Sequence, residues 1–105
     1  MPRSSVVTLQ YVDGCPNAAR VERDLRELVA GAPGVTLRRQ LVASPQHAER
    51  LGFAGSPTVL INGVDPFASG VEPVGLACRV YDTPDGPRGA PTRGQLAAAL
   101  GVEMR

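Results

Sequence analysis

The sequence contains no lysine and no tryptophan, and of its 105 residues only two are cysteine and one is histidine. Long apolar runs are missing as well. Every uncharged stretch is broken by Gly, Pro or polar residues, well short of the ~18 apolar residues a transmembrane helix needs. No membrane span is therefore expected. Met1-Pro2-Arg3-Ser4-Ser5 leads straight into a strand-like segment. It has no apolar h-region and no small-residue cleavage site, which makes the cytoplasm the expected location. Neither charge sign is in excess: 11 basic and 10 acidic residues leave a net +1. That balance argues against nucleic-acid or membrane-surface partners. The basic residues are all Arg, which reads as coding bias, and only Arg38 and Arg39 are adjacent. A small secreted domain held by disulfides typically carries four or more cysteines. Cys15 and Cys78 read instead as buried apolar residues or as a redox or metal pair. The length suits one domain spanning residues 1–105, with no room for a second core.

The elements that are present have local signatures. Val6–Val12 is rich in β-branched residues and mostly apolar on both faces, as in a strand buried on both sides of a sheet. Asp13-Gly14 ends it with a turn. Pro16 suits the first position of a helix that runs to about Ala30. Val21, Leu25, Leu28 and Val29 form its apolar stripe, with Arg20, Glu22, Arg23, Asp24, Arg26 and Glu27 mainly opposite. Gly31-Ala32-Pro33-Gly34 stops it. Val35–Val42 reads as a second strand. Ser44-Pro45 opens a short helix to Leu51, with Ser44 as N-cap. Thr58–Ile61 is a compact strand, and Asn62-Gly63 is a strong hairpin signal. After a loop from Val64 to Pro73, Gly75–Tyr81 reads as the returning strand. Asp82–Pro91, rich in Pro and Gly, is expected to be loop. Thr92 and Gln95 have capping-box spacing and begin a last helix with Leu96, Ala99 and Leu100 inward. The order β-α-β-α-β-β-α, with a parallel first βαβ unit, predicts an α/β fold: a four-stranded mixed sheet with three helices, on both of its faces.

Cys15 stands where the first strand hands over to the first helix. Free N–H groups and the helix dipole favour negative charge there, and thiolates at such positions are the reactive form of cysteine. Strand-to-helix junctions are also where open α/β sheets present ligand sites. Asp13 opposes a thiolate by its own charge, or serves the thiol as a proton donor or acceptor. The competing reading of Cys15 is a small buried apolar residue, and for Cys78, set among Leu76, Ala77 and Val80, core packing is an even alternative. Pro57 at the head of an apolar strand, after a small residue, suits a cis peptide. Such a peptide would leave the Ser56 backbone open toward the Cys15 end. A trans proline that opens a strand is the plain alternative.

Gly14-Cys15-Pro16-Asn17 opening a helix, followed by Gly55-Ser56-Pro57-Thr58-Val59-Leu60-Ile61-Asn62-Gly63 in a hairpin, resembles the thioredoxin superfamily over residues 5–100. The similarity is closest to small thioredoxin-like proteins of glutaredoxin size. These include a bacterial group with Asp-Gly-Cys-Pro-Asn near the N-terminus and Ala-Cys-Arg-Val-Tyr near the C-terminus, some labelled alkylmercury lyase-like. The resemblance implies that Cys15 is the nucleophile, that Pro57 is the cis-proline, and that the Ser56 backbone pairs with a peptide or thiol substrate. Asn17 belongs to the same substrate-side motif. The pattern departs from the superfamily's dithiol motif at Ala18, where the second cysteine would stand. Exchange would then be monothiol, or Cys78 would resolve it, provided the two Cα atoms approach within the roughly 7 Å of a disulfide. Arg79, beside Cys78, is either a surface charge or a group that holds a thiolate or a substrate carboxylate.

Three functions follow as expectations. The first is thiol–disulfide oxidoreductase chemistry with a disulfide or low-molecular-weight thiol as partner and no cofactor. The second is an organomercurial or heavy-metal thiol protein, in which soft thiolates bind metal and Asp13 protonates the departing carbon. The third is a non-catalytic interaction module of thioredoxin fold. His47 reads as a solvated residue, since its spacing to the cysteines matches no zinc pattern, and no Gly-rich phosphate loop is present.

Overall fold

The computed structural model describes residues 5–102, so the expectation drawn from Met1–Ser4 lies outside the described residues. The elements follow in the order β1 (Ser5–Tyr11), α1 (Pro16–Ala30), β2 (Val35–Leu41), α2 (Pro45–Leu51), β3 (Thr58–Ile61), β4 (Tyr81–Thr83), β5 (Gly86–Arg88) and α3 (Arg93–Leu100). The main sheet is mixed and three-stranded, in the order β2-β1-β3. β1 runs parallel to β2, with Leu9 opposite Arg39, and antiparallel to β3, with Leu9 opposite Val59. Among the described residues the expected fourth strand is absent from it. β4 and β5 form a separate two-stranded ribbon. Among the described residues no helix is long and apolar enough to cross a membrane.

The core lies on one face of this sheet. Val7 and Leu9 of β1 meet Val21, Leu25 and Leu28 of α1 and Leu96 and Ala97 of α3. Each such side chain contributes about 1.5–3 kcal/mol when fully buried. α1 and α3 therefore share a face, whereas the sequence pattern suggested a strand buried on both sides. On the other face of β1, Val6 and Thr8 are half-buried and only Gln10 is buried. The opposite face holds a polar depression of about 180 Å³ lined by Thr8, Arg38, Gln40 and Leu60. α2 forms a small core of its own, where Val42, Ala48 and Phe53 pack with Val12 and Leu51. Two inward positions differ from expectation. Ala97 rather than Ala99 is buried in α3. Asp24 turns inward from α1 because Arg93 of α3 reaches its carboxylate at 3.6 Å.

The local start signals appear as side-chain bonds. Ser44 Oγ accepts the His47 N–H at 3.1 Å. Thr92 Oγ1 accepts the Gln95 N–H at 3.1 Å while the Thr92 N–H donates to Gln95 Oε1 at 2.9 Å. Both bonds satisfy N–H groups that a helix leaves unpaired.

The segment after β3 departs most from the expected hairpin. Asn62 and Gly63, at φ 51° and 85°, do make a tight turn. It is closed by Ile61 N–H to Val64 O at 2.7 Å and Val64 N–H to Ile61 O at 3.0 Å. The ladder then stops, since Pro66 has no N–H to donate. Residues 75–81, read from sequence as an antiparallel strand, instead run parallel to the chain just before β3. Gly75 N–H donates to Phe53 O at 3.1 Å, Ser56 N–H to Ala77 O at 2.8 Å, and Arg79 N–H to Ser56 O at 3.0 Å. Residues 64–80 thus form a strap across the head of β3. The loop expected over 82–91 contains the β4–β5 ribbon, with Tyr81 opposite Arg88 and Asp82 opposite Pro87. Proline is tolerated there because a two-stranded ribbon has free edges.

Gly55 allows the strap its close approach. Its φ is +103°, and a Cβ built there would stand 3.1 Å from both Ala77 O and Arg79 Cβ. Gly55→Ala is expected to destabilise the fold by about 1–3 kcal/mol, through left-handed strain and the displaced strap. Chemical denaturation of the two proteins checks this, and a variant as stable as wild type would contradict it.

Candidate functional site

Cys15 is the N-cap residue of α1, with extended backbone (φ −75°, ψ 112°) and no capping bond from its side chain. The Asp13-Gly14 turn sets it there, with Gly14 at φ +76°. The Cys15 N–H donates to Val12 O at 3.4 Å, and Cys15 O accepts the Ala19 N–H at 3.3 Å. The thiol is free and half-buried. It borders a cleft of about 210 Å³ that is also lined by Tyr11, Asp13, Glu22 and Arg39. Asp13 is exposed at the rim.

Ser56, Pro57 and Cys78 come together at the same end of the sheet. The Ser56–Pro57 peptide is cis, and both residues are fully buried. Ser56 Oγ accepts the Val12 N–H at 3.2 Å, which couples it to the turn carrying Cys15. Cys78 is the bridge partner of Ser56 across the strap. It is exposed and unpaired, so the core-packing alternative for Cys78 does not hold. The expectation that the Ser56 backbone stays open is also corrected. Its N–H and C=O are both taken by Ala77 and Arg79 of the strap.

Arg79 is not a free cation. It is 4% exposed, and its Nη1 lies 2.6 Å from Asp65 Oδ2. Nη1 also donates to Thr58 Oγ1 at 3.2 Å, and the guanidinium stacks 4.5 Å from the Tyr81 ring centroid. The expected role of Arg79 toward a thiolate or substrate carboxylate is therefore replaced by fastening of the strap. Asn17 is half-buried, and its side-chain amide lies so close to Gly89 that a Cβ there would overlap it. It packs against the chain that follows β5.

Tyr81 completes the fastening. Its hydroxyl donates to Pro57 O, and its ring meets Phe67 edge-to-face at 5.5 Å. Burial, partly countered by Arg79, pushes its hydroxyl well above the ordinary tyrosine range. Below pH 10 the hydroxyl is neutral both in the folded and the unfolded chain, and the contribution of Tyr81 to stability is fully present. Above pH 10 only the unfolded chain ionises, so stability falls as pH rises. Urea titrations between pH 9 and 11 are expected to show this loss, with Tyr81→Phe showing a shallower one. Equal slopes would contradict it.

Three residues of the cleft escaped the sequence reading. Arg39 Nε lies 3.2 Å from Glu22 Oε1, its Nη2 donates to Tyr11 Oη at 3.2 Å, and its guanidinium lies over the Tyr11 ring at 5.3 Å. The parallel register, which puts Leu9 beside Arg39 and Tyr11 beside Leu41, could have indicated this diagonal pair. His47 sits on α2. Among the described residues no three His, Cys, Asp or Glu side chains gather as a metal would need. No protein-family model matches this chain, and no curated protein is found to be similar to it.

Proposed function

We propose that this is a thioredoxin-like protein of thiol–disulfide exchange, with Cys15 as the attacking sulfur. The observation that carries the reading is a free cysteine at the N-cap of α1, with no capping bond, open to a cleft. Support for the family resemblance comes from β1 parallel to β2 and antiparallel to β3. It comes also from α1 and α3 on one face. Exchange proceeds by thiolate attack on a disulfide, formation of a mixed disulfide, and release of a thiol. Cys78, exposed beside Ser56, or an external thiol then resolves the intermediate. The test is turnover of a small disulfide by wild type and Cys15→Ser with a reductant present. Activity in wild type alone supports the reading, and equal rates defeat it.

One observation favours a second reading, that of a non-catalytic interaction module. The Ser56 edge, where the resemblance would seat a substrate, is filled by the protein's own strap. Absence of any exchange in wild type, with a partner that also binds Cys15→Ala, would favour this alternative.

A further inference from the structure

We infer, granted the thiol chemistry proposed for Cys15, that its substrate is a small carboxylate-bearing disulfide of amino-acid type. It approaches from the β2 side, where Arg39 holds its carboxylate. The opposite approach is closed. The Ser56 N–H and C=O are bonded to Ala77 and Arg79 at 2.8 and 3.0 Å. The strap that makes those bonds is fastened by the buried Arg79–Asp65 pair and by Tyr81 on Pro57. An extended peptide would have to break all of these before pairing at Ser56. On the β2 side the thiol meets open space instead.

That space is small and carries one oriented cation. About 210 Å³ is below the roughly 300 Å³ at which pockets for drug-sized ligands begin, so the cleft suits a small molecule. Arg39 is the cation of the cleft, with a half-exposed side chain. Its Nε and Nη2 are oriented by Glu22 and Tyr11, which leaves Nη1 without a protein acceptor among the described residues. Glu22 also pairs with Arg26 at 2.7 Å, so its charge is not held by Arg39 alone. A guanidinium held in a fixed plane suits a carboxylate better than any neutral group. Asp13, exposed on the rim, supplies the charge that would face an ammonium group. Carboxylate toward Arg39 and ammonium toward Asp13 is the pattern of an amino-acid thiol.

The step balances with the disulfide as oxidant. The Cys15 thiolate attacks one sulfur, a new S–S bond forms to that half, and the original S–S bond breaks. The other half leaves with the electron pair and takes a proton from water. Cys15 is oxidised and the departing half is reduced to a thiol.

The experiment measures the rate of adduct formation at Cys15, located by peptide mapping, for cystine, cystamine and hydroxyethyl disulfide. Each rate is normalised to that of the same disulfide with a free small thiol. In wild type, cystine is expected to react about tenfold faster than cystamine, the same skeleton without carboxylates. Arg39→Gln is expected to remove that preference, bringing the normalised cystine rate down to the cystamine rate. No preference for cystine, or an equal slowing of all three by Arg39→Gln, overturns the inference and leaves Cys15 chemistry standing. No adduct at Cys15 with any of the three overturns both.

Discussion

Asp65→Ala is expected to lower the thermal midpoint by more than about 10 °C. The carboxylate is the only anion paired with the Arg79 guanidinium among the described residues, and the Arg79 side chain is 3% exposed against 15% for Asp65. Removing one partner of a buried pair leaves an uncompensated charge, at a cost of about 3–5 kcal/mol. In a domain of this size each kcal/mol shifts the midpoint by about 4–8 °C. Thr58 and the Tyr81 ring still touch Arg79, but neither brings a negative charge. The same substitution releases the strap, so Cys78 should lose its place beside Ser56. Adding Arg79→Met to Asp65→Ala removes the stranded charge and is expected to recover part of the loss. A calorimetric scan of the single and double variants checks both statements. An unshifted midpoint for Asp65→Ala would mean that the pair does not hold the strap.

Cys15→Ser is expected to reduce disulfide exchange at least about a thousandfold without altering the fold. Serine is nearly isosteric and can occupy the same N-cap, where it is a better capping residue than cysteine. Its hydroxyl does not ionise near neutral pH and is a far weaker nucleophile than a thiol, so the attack is lost. Far-ultraviolet circular dichroism should match wild type while turnover of hydroxyethyl disulfide disappears. Cys78→Ser separates the two steps. The Cys15 adduct still forms, and where Cys78 is the resolving thiol that adduct persists until an external thiol is added. Undiminished turnover in Cys15→Ser would remove Cys15 from the chemistry.

What sequence could and could not show follows from how far each feature reaches. β1, α1, β2, α2, β3 and α3 were legible because their signals are local. Ser44 and Pro45, Thr92 with Gln95, and Asn62-Gly63 each act within a few residues. Cys15 at a helix terminus was legible for the same reason. The strap was not. Its course is set by Asp65 finding Arg79 fourteen residues later, inside a segment without periodicity. A charged residue flanked by Cys78 and Val80 gives no sign that it will be buried, since burial of Arg depends on a partner. The apolar spacing of 75–81 fitted a strand, yet Leu76 and Val80 are exposed at 41% and 68%. Gly55 lets the backbone of residues 77–79 approach so closely, and its value shows only once that neighbour is known. Arg39 and Glu22 reach the Cys15 cleft from β2 and the second turn of α1, and such a meeting depends on register and helix placement together.

The central claim is that placement at the start of α1, and not exposure, decides which thiol reacts. The two cysteines make this testable within one molecule, because Cys78 is exposed and Cys15 is half-buried. The measurement is the site of the first adduct when native protein meets a substoichiometric amount of hydroxyethyl disulfide, quenched early and mapped by mass spectrometry. The account predicts that the first adduct is on Cys15, despite its lower exposure. A first adduct on Cys78, with Cys15 modified only after unfolding, would contradict it.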